Sequence, residues 1–219
     1  MQESQHLCTS KEVARLGWDQ KFSACGKAAL IFNARWRGSI REFITEYARF
    51  VVGVFGSARS SLIVASVYLP DSSVSGALEM YRGTLEKLTE IISDLQRRHR
   101  GGVVCVCIDA NVELPREREG TYREEEYMMT GRGVQGRMEE IMEGPRLAMS
   151  TRAKEEERTK EQMRIHLLGF MQIFGLLASN TFGVRDATWE SYSRRSPVRR
   201  VLDYVLVPRD WAVVQSKVD

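Results

Sequence analysis

Two strand-length apolar runs with an amphipathic helix between them constrain this chain more than any other feature. Residues 61–69 and 103–108 are built almost wholly from Val, Ile, Leu, Ala, Ser and Cys. Between them Leu78, Tyr81, Leu85, Leu88, Ile92 and Leu95 recur at intervals of three and four, which puts one apolar stripe on a helix. Glu79 lies near its start, and Arg97, Arg98, His99 and Arg100 crowd its end before Gly101. The helix dipole favours that order of charge, and glycine is a natural stop. The arginines also suit a phosphate, although dipole complement on a solvated face is the plainer reading. Residues 103–108 are apolar at every position, which predicts a central strand covered on both faces. Strand, helix, strand in this order predicts an α/β fold.

The rest of the chain fits one domain spanning residues 1–219, long enough to bury about 70% of its unfolded surface. Residues 28–32 read as a short strand after Gly26. Residues 50–55 and 61–69, joined by a Gly-Ser loop, read as a hairpin that Pro70 closes. Residues 115–160 turn Arg/Glu-rich with scattered glycines, which predicts a variable, partly flexible insertion with a short helix at most. Met163, Leu167, Phe170, Phe174 and Leu177 restore a helical period, and residues 200–207 read as a last strand ended by Pro208.

Composition excludes several classes. Lys and Arg number 32 against 29 Asp and Glu, a net charge of +3 that permits a phosphate-bearing partner without demanding one. The four cysteines, Cys8, Cys25, Cys105 and Cys107, read as small buried hydrophobes; a metal site would want tighter spacing with histidine nearby, and His6, His99 and His166 are far apart. The first ten residues are polar, so they read as no secretory segment, and no apolar run reaches the ~18 residues of a membrane span. The expectation is a soluble, intracellular protein, cytoplasmic or nuclear, with no membrane partner.

Chemistry has few places to sit. Asp109 and Asn111 stand where the central strand leaves the sheet, the end at which α/β sheets collect ligands. An Asp two residues before an Asn is also a common turn. Alternation puts Asp203 on one face with Val201 and Val205; a carboxylate among apolar neighbours either holds a loop or orients an imidazole or a metal. Tyr68 ends another strand, as a core tyrosine with a wet hydroxyl or as a site residue. Trp189 and the cluster Arg194, Arg195, Arg199 and Arg200 suit a phosphate with a stacked base, and equally a solvated loop.

These segments form an ordered series: Gln2-Glu3-Ser4, Gly26-Lys-Ala-Ala-Leu-Ile-Phe, Val67-Tyr-Leu-Pro70, Ile108-Asp-Ala-Asn111, Asn180-Thr-Phe, Thr188-Trp-Glu-Ser191 and Val201-Leu-Asp-Tyr204. The series resembles the endonuclease/exonuclease/phosphatase superfamily, and most of all its retroelement-borne, apurinic/apyrimidinic-endonuclease-like branch. The resemblance implies a two-sheet β-sandwich flanked by helices, in four layers, and a divalent-metal-dependent phosphodiester hydrolase. It implies that Glu3 binds Mg²⁺ (or Mn²⁺) and that Tyr68 lies near the scissile phosphate. It further implies that Asp109 activates the attacking water, that Asn111 steadies water or phosphate, and that Asp203 orients a histidine. Nucleic acid is the implied partner, DNA ahead of RNA, with the remainder of a retroelement polyprotein as another.

The family's upstream asparagine strand and terminal Ser-Asp-His have no counterpart between Met1 and Asp219, so the fold is expected to be incomplete at both terminal strands. Impaired activity follows as an expectation, and open sheet edges predict marginal stability. The alternative reading is a non-catalytic remnant that binds nucleic acid or a partner. A phosphatase or phospholipase of the same superfamily is the third.

Overall fold

The computed structural model describes residues 17–57, 60–114, 151–179, 189–192, 197–200 and 202–211. They belong to two compact units, Met1–Tyr68 with Ile91–Cys107, and Leu69–Glu90 with Ile108–Asp219. One helix, α1 (Ala77–Arg98), and one strand, β6 (Val103–Asp109), run through both.

In the first unit β1 (Trp18–Phe22) and β2 (Ala29–Asn33) form an antiparallel hairpin. A 3₁₀ turn, Ala34–Ser39, leads to β3 (Ile40–Ile44), β4 (Phe50–Gly56) and β5 (Ser61–Tyr68). The strand order here is β3-β4-β5-β6. The expected hairpin forms, with Gly56 opposite Ser61. Gly56 has φ 126°, and a Cβ there would lie 2.2 Å from the Ser60 carbonyl oxygen, so only glycine fits that turn. β4 is buried from Phe50 to Phe55, on both faces. On one face Val51 packs with Ala28, Leu30, Phe43 and Val64, and the Phe32 ring lies 5.5 Å from those of Phe43 and Phe55. Gly53 makes room for that aromatic cluster. A Cβ on it would come within 2.7 Å of the Phe43 ring and 2.8 Å of the Phe55 ring.

β6 corrects one expectation. Val104 and Val106 are buried, but Cys105 is half-buried and Cys107 exposed, so only one face is fully covered. Cys25 is exposed as well, and Cys8 lies outside the described residues. Hydropathy counts cysteine as apolar, but a small side chain gains little from burial and tolerates water on a strand face.

The second unit holds the end of β6 and the start of α1. It adds α2 (Thr151–Ile173), β7 (Leu176–Ala178), β8 (Trp189–Tyr192), β9 (Pro197–Arg200) and β10 (Asp203–Pro208). Here the strand order continues β6-β10-β7, and β8 pairs with β9 apart from it. Along α1 the stripe is buried as read, except that Ala77 takes the first buried place and Leu78 is only half-buried. α2 buries Met163, Leu167, Phe170 and Met171.

α2 begins at Thr151, inside the stretch expected to be an irregular insertion. Its first turns are charged and carry no apolar period, but Glu, Lys and Arg are good helix formers. Lys160 and Glu156 pair across one turn at 2.6 Å. Residues 115–150 lie outside the described residues. α2 stops at Ile173, with Gly175 at φ 60° just beyond, so Phe174 and Leu177 fall past the helix and Leu177 joins β7. The single last strand expected over residues 200–207 is two strands, β9 and β10. No described helix is long and apolar enough to cross a membrane. The mixed strands and helices match the α/β class read from the sequence.

Gly53→Val forces its new methyl groups into the Phe43 and Phe55 rings. Chemical denaturation should show a loss of about 1–3 kcal/mol, as for overpacked cores; an unchanged midpoint would mean the rings are free to move aside.

Candidate active site

Asp109 is the last residue of β6 and half-buried. Its backbone carbonyl accepts the Leu69 N–H at 2.9 Å, and the next amide, that of Ala110, donates to the Leu202 carbonyl at 2.8 Å. Asn111 follows in the left-handed region, φ 51°, a conformation asparagine tolerates better than most residues. Its backbone N–H reaches Asp109 Oδ1 at 3.3 Å, so the turn foreseen for an Asp-x-Asn sequence is present. Its side chain does more: Nδ2 donates to the Leu69 carbonyl at 2.7 Å. Leu69 is thus held at both its N–H and its C=O by residues 109–111, and it is fully buried.

Charge gathers here. Burial pushes the Asp109 carboxyl up to about 6, and the nearby Asp203 carboxylate adds to the rise; the Asn111 N–H opposes it, and Asp71 adds a little more. Asp71 itself is held below the ordinary carboxylate range: burial pushes it up, but the Ser73 hydroxyl and N–H and the charge of Lys160 outweigh that. A carboxyl titrating near 6 is still available to take a proton close to neutral pH.

Asp203 departs from its expected place. β10 buries Tyr204 and Leu206, while Asp203 and Val205 share the exposed face. The pairing of Asp203 with Val205 on one face holds, but that face is the solvated one. Alternation gives the parity of a strand without saying which parity meets the core.

Two side chains with no role in the sequence reading fasten the chain as it leaves Asn111. The buried Tyr204 hydroxyl accepts the Leu114 N–H at 2.8 Å and donates to the Val112 carbonyl at 3.2 Å. Arg164, on α2, donates through Nε to the Glu113 carbonyl at 2.6 Å and pairs with Glu161. Burial pushes the Tyr204 phenol up to about 12. Tyr81, on α1, is fully buried beside the same groups; its hydroxyl has no partner among the described residues, and burial raises it well above the usual phenol value. An apolar strand with one tyrosine and a helix with three arginines carry no sequence signal for this clamp beyond the Leu-Asp-Tyr string.

The second unit therefore brings Asp109, Asn111 and Asp203 together. Tyr68 belongs to the first unit, where its N–H donates to the Arg49 carbonyl at 2.8 Å. Glu3, Arg194 and Arg195 lie outside the described residues. Trp189 stands opposite Arg200, and Glu190 opposite Arg199, in the β8–β9 ladder, so a segment open between loop and phosphate site is a hairpin in its backbone. Asp109, Asp203 and Asp71 offer carboxylate oxygens, and the part of the Asp109 rise that Asp203 adds to burial is the kind a hard cation relieves. Among the described residues no three acidic, histidine or cysteine side chains close around one point.

Tyr204→Phe leaves the Leu114 N–H and the Val112 carbonyl without their partner and should cost about 1–3 kcal/mol in urea unfolding. Tyr81→Phe removes an unpartnered hydroxyl and should be neutral or slightly stabilising in the same measurement. The reverse order of the two variants would contradict this account of the clamp.

Comparison of the sequence with family models and with curated proteins finds no match. Solved structures do match. The 3′ phosphatase NExo from Neisseria, bound to a product DNA hairpin, is 13% identical; the match covers 94% of this chain and 72% of that one, with a TM-score of 0.52. The endonuclease domain of TRAS1, a telomere-specific non-LTR retrotransposon, is 12% identical over 89% of this chain and 68% of that one, with a TM-score of 0.48. TDP2 from C. elegans is 8% identical over 91% of this chain and 52% of that one, with a TM-score of 0.47. At such identities the likeness concerns fold alone: the chain shares its fold with the 3′ phosphatase, in agreement with the resemblance read from the ordered motifs.

Proposed function

We propose that the chain is a divalent-metal-dependent phosphodiester hydrolase domain, endonuclease-like and directed at nucleic acid, DNA ahead of RNA. The observation that carries the reading is Asp109, a carboxyl pushed up to about 6 at the exit of a sheet strand, with Asn111 fixed two residues on and Asp203 close by.

In this reading Asp109 accepts the proton of the attacking water, and its raised pKa makes it a stronger base than an ordinary aspartate. Asn111 commits one carboxamide hydrogen to Leu69, so it steadies the site through its orientation as well as any contact with water or phosphate. Asp203, on the exposed face, adds negative charge that helps hold a cation and keeps Asp109 basic. Glu3 joins as a metal ligand and Tyr68 as a contact to the scissile phosphate. Trp189, Arg194, Arg195, Arg199 and Arg200 bind the strand. A bound divalent ion supplies charge for the phosphoryl oxygens in the transition state. His99, one of three histidines, is engaged elsewhere, its Nε2 3.4 Å from Glu42. Residues 1–219 act as a single such domain in this reading.

The test is nicking of supercoiled plasmid DNA with Mg²⁺. Asp109→Ala should lower the rate about 10²-fold or more, in line with the loss of a positioned base. The rate should climb with pH through the titration of Asp109, because the base works only when ionised. Salt-dependent binding with no nicking in either protein would instead favour the non-catalytic binding module.

Stability gives a second measurement, free of activity. The Asp109 pKa lies above its unfolded value of 3.8, so the folded state binds more proton between about pH 4 and pH 6, and stability falls as pH rises through that window. Asp109→Asn should flatten the fall. Above pH 6, Mg²⁺ should raise the Tm of the unaltered chain and leave that of Asp109→Asn nearly unmoved.

A further inference from the structure

The first unit brings to the Tyr68 ring two cations that this reading does not use. The ring of Tyr68 is flanked by Lys27, with Nζ 5.9 Å from the ring centroid, and by Arg49, with Cζ at 5.7 Å. The two cations come from different loops, and the backbone fixes both. The Ser23 hydroxyl is buried; it donates to the Ala48 carbonyl at 3.1 Å and accepts the Ala28 N–H at 3.1 Å. The Ala24 N–H donates to the Tyr47 carbonyl at 2.9 Å, and the Gly26 N–H closes the turn onto the Ser23 carbonyl at 2.9 Å. The Tyr68 N–H in turn donates to the Arg49 carbonyl. Residues 23–28, 47–49 and 68 are therefore tied together before any ligand arrives.

Two like charges held near one ring repel each other. Stacking on a tyrosine face returns only about 0.5–1 kcal/mol per cation at an exposed site. Lys27 is exposed and has no ion pair among the described residues. An arrangement that spends effort holding cations together, at the end of a strand, suits an anion with oxygen atoms spread in space.

We infer that Lys27 and Arg49, held around the Tyr68 ring, form a preorganised seat for a backbone phosphate of a nucleic-acid strand. The choice of polymer rests on the proposed function; the seat for phosphate oxygens rests on the geometry. Lys27 and Arg49 are binding residues in this account and take no part in bond breaking. Because the segments that carry them are tied together in advance, binding has little backbone to order. Each phosphate neutralised releases counterions, so each cation contributes to the salt dependence of binding.

The experiment is fluorescence anisotropy of a labelled DNA duplex with the full chain in EDTA, from about 50 to 200 mM salt, a range over which phosphate contacts weaken markedly. Lys27→Ala should weaken binding several-fold at the low end and reduce the slope of log K against log salt by about 0.9; adding Arg49→Ala should bring the reduction to about 1.8. Lys27→Arg should restore most of the slope. Arg49 is half-buried, so Arg49→Gln, which also removes the charge, serves if the alanine variant does not fold. Lys21 supplies the control, since it lies over the Phe43 ring at 5.7 Å in the same unit with no second cation on that ring. Lys21→Ala should leave the slope unchanged. Equal losses from Lys21→Ala and Lys27→Ala would reduce the effect to bulk charge and overturn the inference, as would unaltered binding by Lys27→Ala. Millimolar inorganic phosphate at matched ionic strength should not displace the duplex; ready displacement would overturn the polymer in favour of a small-anion site. The assay contains no metal, so a failure of hydrolysis leaves its outcome untouched, and a failure here leaves the Asp109 reading standing.

Discussion

The candidate site depends on two hydrogen bonds to one buried residue. Leu69 gives its N–H to the Asp109 carbonyl and receives the Asn111 side chain on its own carbonyl. A buried peptide group must satisfy both its polar ends, and here both ends are satisfied by the segment that carries the acidic chemistry. The turn at residues 109–111 thus has its position set by an obligation of the core. Asn111 completes the arrangement only because its backbone accepts φ 51°, and that same conformation sends the carboxamide toward Leu69.

From that anchor the electrostatics follow. Asp109 is half-buried and close to two other carboxylates, so its charged form is penalised and its basicity rises. The neighbouring groups keep separate tasks. Asp71 is stabilised as an anion by Ser73 and Lys160, whereas Asp109 has only the Asn111 N–H in its favour. Environment divides the two aspartates into one that stays charged and one that can exchange a proton, the division acid–base chemistry requires.

The parts of this fold legible in the sequence are those whose signal is periodic. The α1 stripe, the β4–β5 hairpin and the strand leading to Asp109 all follow from spacing, as does the place of Asp109 and Asn111 at that strand's end. What was not legible fails for separate physical reasons. β1 and β3 mix charged residues with apolar ones, as half-exposed strands do, and blend into loop composition. The first turns of α2 are held by helix propensity and an ion pair and present no apolar face to read. Asp203 was assigned the right parity and the wrong face, since nothing local tells a strand which side its sheet will cover. Tyr204 and Arg164 act through backbone carbonyls and amides far along the chain, and a partner of that kind leaves no mark in the sequence.

The Tyr204 and Arg164 contacts bear on how a chain of this kind can diversify. The peptide groups at 112–114 are gripped by a phenol from β10 and a guanidinium from α2, so the route out of the site is pinned just before residue 115. That arginine sits well inside α2, so the same contact ties the helix to the chain leaving Asn111. A lineage can therefore vary α2 and β10 widely, provided that Tyr204 and Arg164 stay.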